Sequence, residues 1–188
     1  GDVTIGEMLA TGQTVTFTTS GDITDEDDDD APGPGTVNIT ALTLDLTGRT
    51  IGTSDNRIEI AVGSLVIEST SGGLYIHQPG ATDLTLTSAT ATGTGGDVDI
   101  KVAEDIALGA VEAKGDRAFI TSENGAITDG NGDTLNVEAK SLDISAPNGV
   151  GTEGNPLEFQ VNYLSAAGGG TGVAASNSGA LSVDSSSL

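Results

Sequence analysis

Cysteine and tryptophan are absent from this 188-residue chain, histidine occurs once, and only three Phe and two Tyr supply aromatic surface. Without cysteine the fold owes nothing to disulfides or thiolate metal sites, and thiol chemistry is excluded. Six basic residues against 28 acidic ones leave a net charge of −22, which repels nucleic acid and anionic membranes alike. No run of 18 apolar residues occurs, so no helix of the chain spans a bilayer, and the opening residues lack the charged-then-apolar pattern of a signal peptide. What remains is glycine (28 residues), threonine and small aliphatics, with hydrophobic residues at 36 %. Such a chain suits a thin, elongated interior of β-branched side chains rather than a compact enzyme core. The cysteine-free acidic composition, whose charge keeps long exposed chains soluble, leads us to expect an extracellular or bacterial cell-surface location.

Short apolar–polar–apolar segments recur along the whole chain, among them Val3-Thr4-Ile5, Val15-Thr16-Phe17, Val37-Asn38-Ile39, Ile58-Glu59-Ile60, Leu74-Tyr75-Ile76, Val98-Asp99-Ile100, Leu135-Asn136-Val137 and Leu157-Glu158-Phe159. Period-2 alternation marks strands with one buried face, and the Gly, Asn, Asp and Ser between them mark turns. No apolar stripe of helical period is sustained, so the expected class is all-β. Self-similarity narrows it further. Gly21-Asp22-Ile23-Thr24-Asp25 returns as Gly125-Ala126-Ile127-Thr128-Asp129, Ile51-Gly52-Thr53 as Val150-Gly151-Thr152, Asn56 to Ile60 as Asn155 to Phe159, and Ser71 to Ile76 as Ser178 to Val183. The chain thus reads as one β-helix segment over 1–188, with a first unit of about a hundred residues at 1–103 and a second, incomplete one at 104–188. Three short strands per turn of about 20 residues, stacked at about 4.8 Å, predict a parallel β-helix (β-solenoid) forming a rod of about 40 Å. Hairpin dipeptides, which a β-sandwich would need, are scarce. Neither end carries a polar cap, as expected of a section from a longer array.

The stretch from Gly125 through Asp129-Gly130-Asn131-Gly132-Asp133, Ser141-Leu142-Asp143-Ile144, Asn148-Gly149-Val150-Gly151-Thr152 and Asn155-Pro156-Leu157 to Asn177-Ser178-Gly179 resembles the degenerate repeats of filamentous-haemagglutinin-like large exoproteins and adhesins. The resemblance implies a right-handed parallel β-helix, secretion or surface display, and service as a structural stalk or filament. Its expected partners are neighbouring repeats of the same or identical chains, and a host-cell, neighbouring-cell or carbohydrate surface. A second reading is a carbohydrate- or receptor-binding module whose insertion loops engage a ligand, for which Tyr75, Tyr163 and Phe17 are the aromatic candidates.

Two acidic segments are candidate calcium sites. Asp25, Asp27 and Asp29 belong to the run Asp25-Glu26-Asp27-Asp28-Asp29-Asp30, where adjacent carboxylates repel one another and a cation taking six to eight oxygens would relieve them. Asp129, Asn131 and Asp133 have the alternate-residue oxygen spacing of a calcium loop, but Lys140 stands where such a loop carries its bidentate glutamate. The competing readings are a solvated acidic loop and an Asx/Gly turn, so no cofactor is required and calcium is the one to test. Catalysis has little to stand on. His77 is alone and no Gly-x-Ser-x-Gly elbow exists. Asp116 and Arg117 read as a surface salt bridge, and the Thr-x-Thr pairs at 14/16/18, 85/87 and 90/92/94 as ordinary solvent-side β-propensity rather than an ice-binding face.

Overall fold

The computed structural model describes residues 1–26 and 37–183, and every element among them is a strand. In chain order these are β1 (Val3–Ile5), β2 (Met8–Thr18), β3 (Ile23–Asp25), β4 (Ile39–Gly48), β5 (Ile58–Ala61), β6 (Ser64–Ser69), β7 (Leu74–Gln78) and β8 (Leu84–Ala91). There follow β9 (Val98–Val102), β10 (Ile106–Ser122), β11 (Ile127–Asp129), β12 (Val137–Ala146), β13 (Leu157–Gln160), β14 (Tyr163–Gly168), β15 (Ala175–Asn177) and β16 (Ser182–Val183). All paired strands run parallel, so neither a sandwich nor an up-and-down barrel can be drawn from them. The chain coils as a β-solenoid of about eight turns.

One column shows the coil directly. Val3 pairs with Ile23, then Ile51, Leu74, Val98, Ala118, Leu142, Leu164 and Val183, each one turn further along. Two residues past Leu74, Val98, Ala118 and Leu142, the side chains of Ile76, Ile100, Ile120 and Ile144 stack with Ile58 in a continuous isoleucine column, all fully buried. A second side stacks Phe17, Leu46, Ile67, Ala89, Val111, Val137 and Phe159. Identical β-branched side chains superpose well at the rung spacing, and each buried side chain contributes roughly 1.5–3 kcal/mol by leaving water. With only small aliphatics available, a narrow interior is the one shape that fills without voids.

Strands are longer than the alternation predicts because several turn corners without breaking. β2 and β10 each run through a corner where the register to β4 and β12 shifts, between Ala10 and Thr14 and between Ala113 and Arg117. At those corners stand Gly12 and Gly115, with φ of 73° and 83°. A side chain is disfavoured at such a φ, which is why the same glycine recurs in both sequence units. The expected strands at Val37 and Leu135 begin later, at Ile39 and Val137, because Asn38 and Asn136 are corner residues. β11, β14, β15 and β16 carry threonine, serine and alanine where larger apolar residues would have signalled a strand.

The two sequence units do not stack side over side. Ile23, Ile51 and Leu74 continue into Val98 and Ala118, whereas Ile127 and Val150, which match Ile23 and Ile51 in sequence, lie in a separate column with Leu84, Ile106 and Val173. One unit is therefore four turns and part of a fifth, so its successor is rotated onto the next side. Along the ladders Val173 takes the place relative to Val150 that Leu74 takes relative to Ile51, while the Ser71 and Ser178 motifs fall on a single side.

Candidate functional site

Buried asparagines hold the corners. Asn136 is fully buried; its Nδ2 donates to Leu108 O at 2.9 Å, Gly109 O at 3.3 Å, Asp129 Oδ1 at 2.9 Å and Asn131 Oδ1 at 2.8 Å. Its Oδ1 accepts from the Glu158 backbone N at 2.8 Å on the next turn. Asn38 repeats the arrangement in the first unit, donating to Ile5 O, Gly6 O and Asp25 Oδ1 and accepting from Glu59 N at 2.7 Å. At a corner the ladder cannot pair every backbone group, and an amide offers a donor and an acceptor to the turns on either side. Gln78 and Asn177 do similar work, accepting from Val62 N at 3.1 Å and Val161 N at 3.0 Å. None of these amides stood out in the sequence as functional. For Asn38 and Asn136 the signal is a polar residue set between two apolar neighbours; Gln78 and Asn177 carry no such mark.

The same corners carry the calcium candidates. Asp129 Oδ1 accepts from Asn131 N at 2.9 Å and from Asn136 Nδ2, which is an Asx turn. Burial alone would raise the Asp129 pKa, but these donors outweigh it and hold it below the usual carboxylate value. Asp133 is exposed. Asp25 is buried on β3 beside Asn38, while Asp27 and Asp29 lie outside the described residues. Among the described residues no group of three or more His, Cys, Asp or Glu side chains gathers to hold a metal. Both N–H donors fall on Asp129 Oδ1 and leave Oδ2 without a partner, so a calcium ion at Asp129 would meet one free carboxylate oxygen but no gathered set of acidic ligands. The expected thermal midpoint is therefore equal in calcium and in chelator, measured by far-UV circular dichroism; a rise in calcium would assign the ion to this turn.

Glu158, partly buried beside Asp129, has its carboxyl pKa raised, first by desolvation and then by the charges of Asp129 and Asp133. The raised value means that the native state binds a proton more readily than the unfolded chain. Its contribution therefore favours folding at low pH and is lost as pH rises from the unfolded value through the folded one. Glu158→Gln should raise the melting midpoint at pH 7, and the gain should vanish below about pH 4, where the native carboxyl is already protonated. A pH-independent difference would show that charge is not its cause.

On the outer surface, Arg57 Nη2 pairs with Asp99 at 2.6 Å beside Tyr75, whose pKa is raised by burial and by Asp97 and Asp99. His77 Nδ1 lies 4.0 Å from Glu59 Oε1, a structural contact between neighbouring turns. Asp116 and Arg117 do not form the expected salt bridge. Asp116 Oδ2 instead accepts from Gly95 N at 2.7 Å and Gly96 N at 3.1 Å, while Arg117 lies over the Phe119 ring, 4.8 Å from its centroid. Phe17 packs against the core and Tyr163 is 56 % exposed. The Thr14 to Thr18 face meets Asp45, Val66 and Glu68 on the following turns, which breaks any flat threonine array.

A groove of about 400 Å³ opens on the outer face of β10, β12, β14 and β16, lined among others by Arg117, Phe119, Ser141, Asp143, Tyr163 and Ser165. Phe119 and Asp143, a site the aromatic candidates of the sequence did not include, are brought there by parallel register alone.

The fold makes this chain a β-solenoid. No family model, no curated protein and no solved structure matches it.

Proposed function

We propose that the chain is a structural segment of a stalk or filament in a large bacterial surface or secreted adhesin. The supporting observation is the column from Val3 to Val183, in which each turn rests on the one before through backbone ladders and an aliphatic interior. Such an element gains length without changing cross-section, and its stiffness comes from hydrogen bonds along the axis. The acidic exterior keeps neighbouring rods apart. On this reading the protein is not an enzyme, its first partners are further turns of the same or identical chains, and contact with a host cell, a neighbouring cell or a carbohydrate surface is made along the rod or beyond it.

Intact mass of the native polypeptide together with negative-stain images tests the reading. Thin fibres are expected, either from a chain several times longer than 188 residues or from stacked subunits of 18.6 kDa. Compact monomers of 18.6 kDa would overturn it.

A further inference from the structure

We propose that the groove between Arg117–Phe119 and Tyr163 binds a neutral saccharide, one ring lying in the slot between them. Arg117, Ser141 and Tyr163 occupy the same register position on three successive turns. The outer two are thus about 9.6 Å apart, twice the strand spacing, with the smallest of the three between them. Two van der Waals contacts of about 3.5–4.0 Å fit within that separation, so the slot admits one flat ring against Tyr163 on one side and the Arg117–Phe119 stack on the other. Its volume of about 400 Å³ is that of a small-ligand site.

The polar groups choose the class of ligand. Arg49 and Arg57 are committed to Asp22 and Asp99, but Arg117 makes no ion pair among the described residues and rests on Phe119 alone. Asp143, register partner of Phe119, stands diagonal to Arg117 and is not paired with it. A guanidinium donor and a carboxylate acceptor, held apart in one groove, complement neighbouring hydroxyls of a sugar, one accepting from Arg117 and one donating to Asp143. Ser141 and Ser165 add hydroxyls on the floor. An anionic sugar is opposed by Asp143 and by a net charge of −22. An apolar peptide would bury Asp143 and the serines without partners. The site lies on the sheet face rather than on an insertion loop. It is independent of the stalk reading, since a rod and a compact monomer can each present it.

The test is titration of the ¹⁵N-labelled chain with cellotriose, chitotriose, maltotriose and galactotriose at about 10 mM, enough to saturate a millimolar site. Trigalacturonate serves as the anionic comparison. Amide shifts confined to residues near 117–119, 141–143 and 163–165 are expected with at least one neutral trisaccharide. Tyr163→Ala and Arg117→Ala should each weaken that binding about tenfold or more. Both side chains are exposed, so the melting midpoint should stay unchanged. The proposal is overturned by an absence of shifts with all four neutral sugars, by shifts away from the groove, by tighter binding of trigalacturonate, or by variants that bind like the parent.

Discussion

Replacing Asn136 by alanine is expected to lower the melting midpoint of the chain by roughly 10 °C. The side chain is fully buried, and its amide shares two N–H donors among four acceptors and accepts one further bond, contacts that span three turns of the coil. Alanine leaves Gly109 O and Glu158 N without this partner, while Leu108 O keeps the Gly130 backbone N–H at 2.8 Å, and each buried orphan costs about 1–3 kcal/mol. Allowing for a water entering the vacated space, the net loss is about 2–4 kcal/mol, and in a domain of this size each kcal/mol moves the midpoint by about 2–4 °C. The local readout is hydrogen exchange. The Glu158 amide should lose its protection more than amides in the isoleucine column do, because its acceptor is the one removed. Asn38→Ala should reproduce the effect in the first unit through Glu59 N. A shift under 3 °C in both variants, judged against this scale, would mean that water satisfies the corner unaided.

The second large effect is at Phe159, the largest fully buried side chain, with 1 % of its surface exposed. It stands in the column above Val137 and below Asn177, and the other buried hydrophobic side chains of the described core are all aliphatic. Phe159→Ala should cost about 3–5 kcal/mol, the range for removing a buried aromatic, since flanking backbone ladders prevent the turn from collapsing into the cavity. Phe159→Ile should cost under about 1.5 kcal/mol. Ile60 occupies the matching position of the first unit and is itself fully buried, so this cross-section accepts isoleucine. Chemical denaturation with both variants checks the pair. Equal losses would show that shape, rather than cavity volume, governs the site.

Much of the architecture was legible because parallel coiling writes itself into sequence at two scales. Period-2 alternation locates strands such as β5 and β9, where Ile58, Ile60, Val98 and Ile100 point inward. The return of Gly21 to Asp25 as Gly125 to Asp129 reports stacked turns. The alternation fails where the interior is served by small residues, as in β14, whose alanines give no contrast with their serine neighbours. It fails also at corners, where a buried polar residue is required and reads as an interruption. Asn38 and Asn136 each sit between two apolar neighbours, so alternation places them in strands, yet their amides face backbone rather than solvent. Of the calcium spacing at Asp129, Asn131 and Asp133, the first two turn an oxygen toward Asn136 at that corner.

The sequence by itself determined that the chain is all-β, acidic, thin in its interior and built of recurring turns, because these follow from residue types and their periods. Only the tertiary structure decided which side each turn presents. The lengths of the intervening corners set register, and a unit of four turns and part of a fifth rotates its copy onto the next side. The same arithmetic brings Arg117, Phe119, Asp143 and Tyr163, up to 46 residues apart in the chain, to one groove. Residues a turn apart become neighbours at the strand spacing, and that spacing is written in no single segment of the sequence.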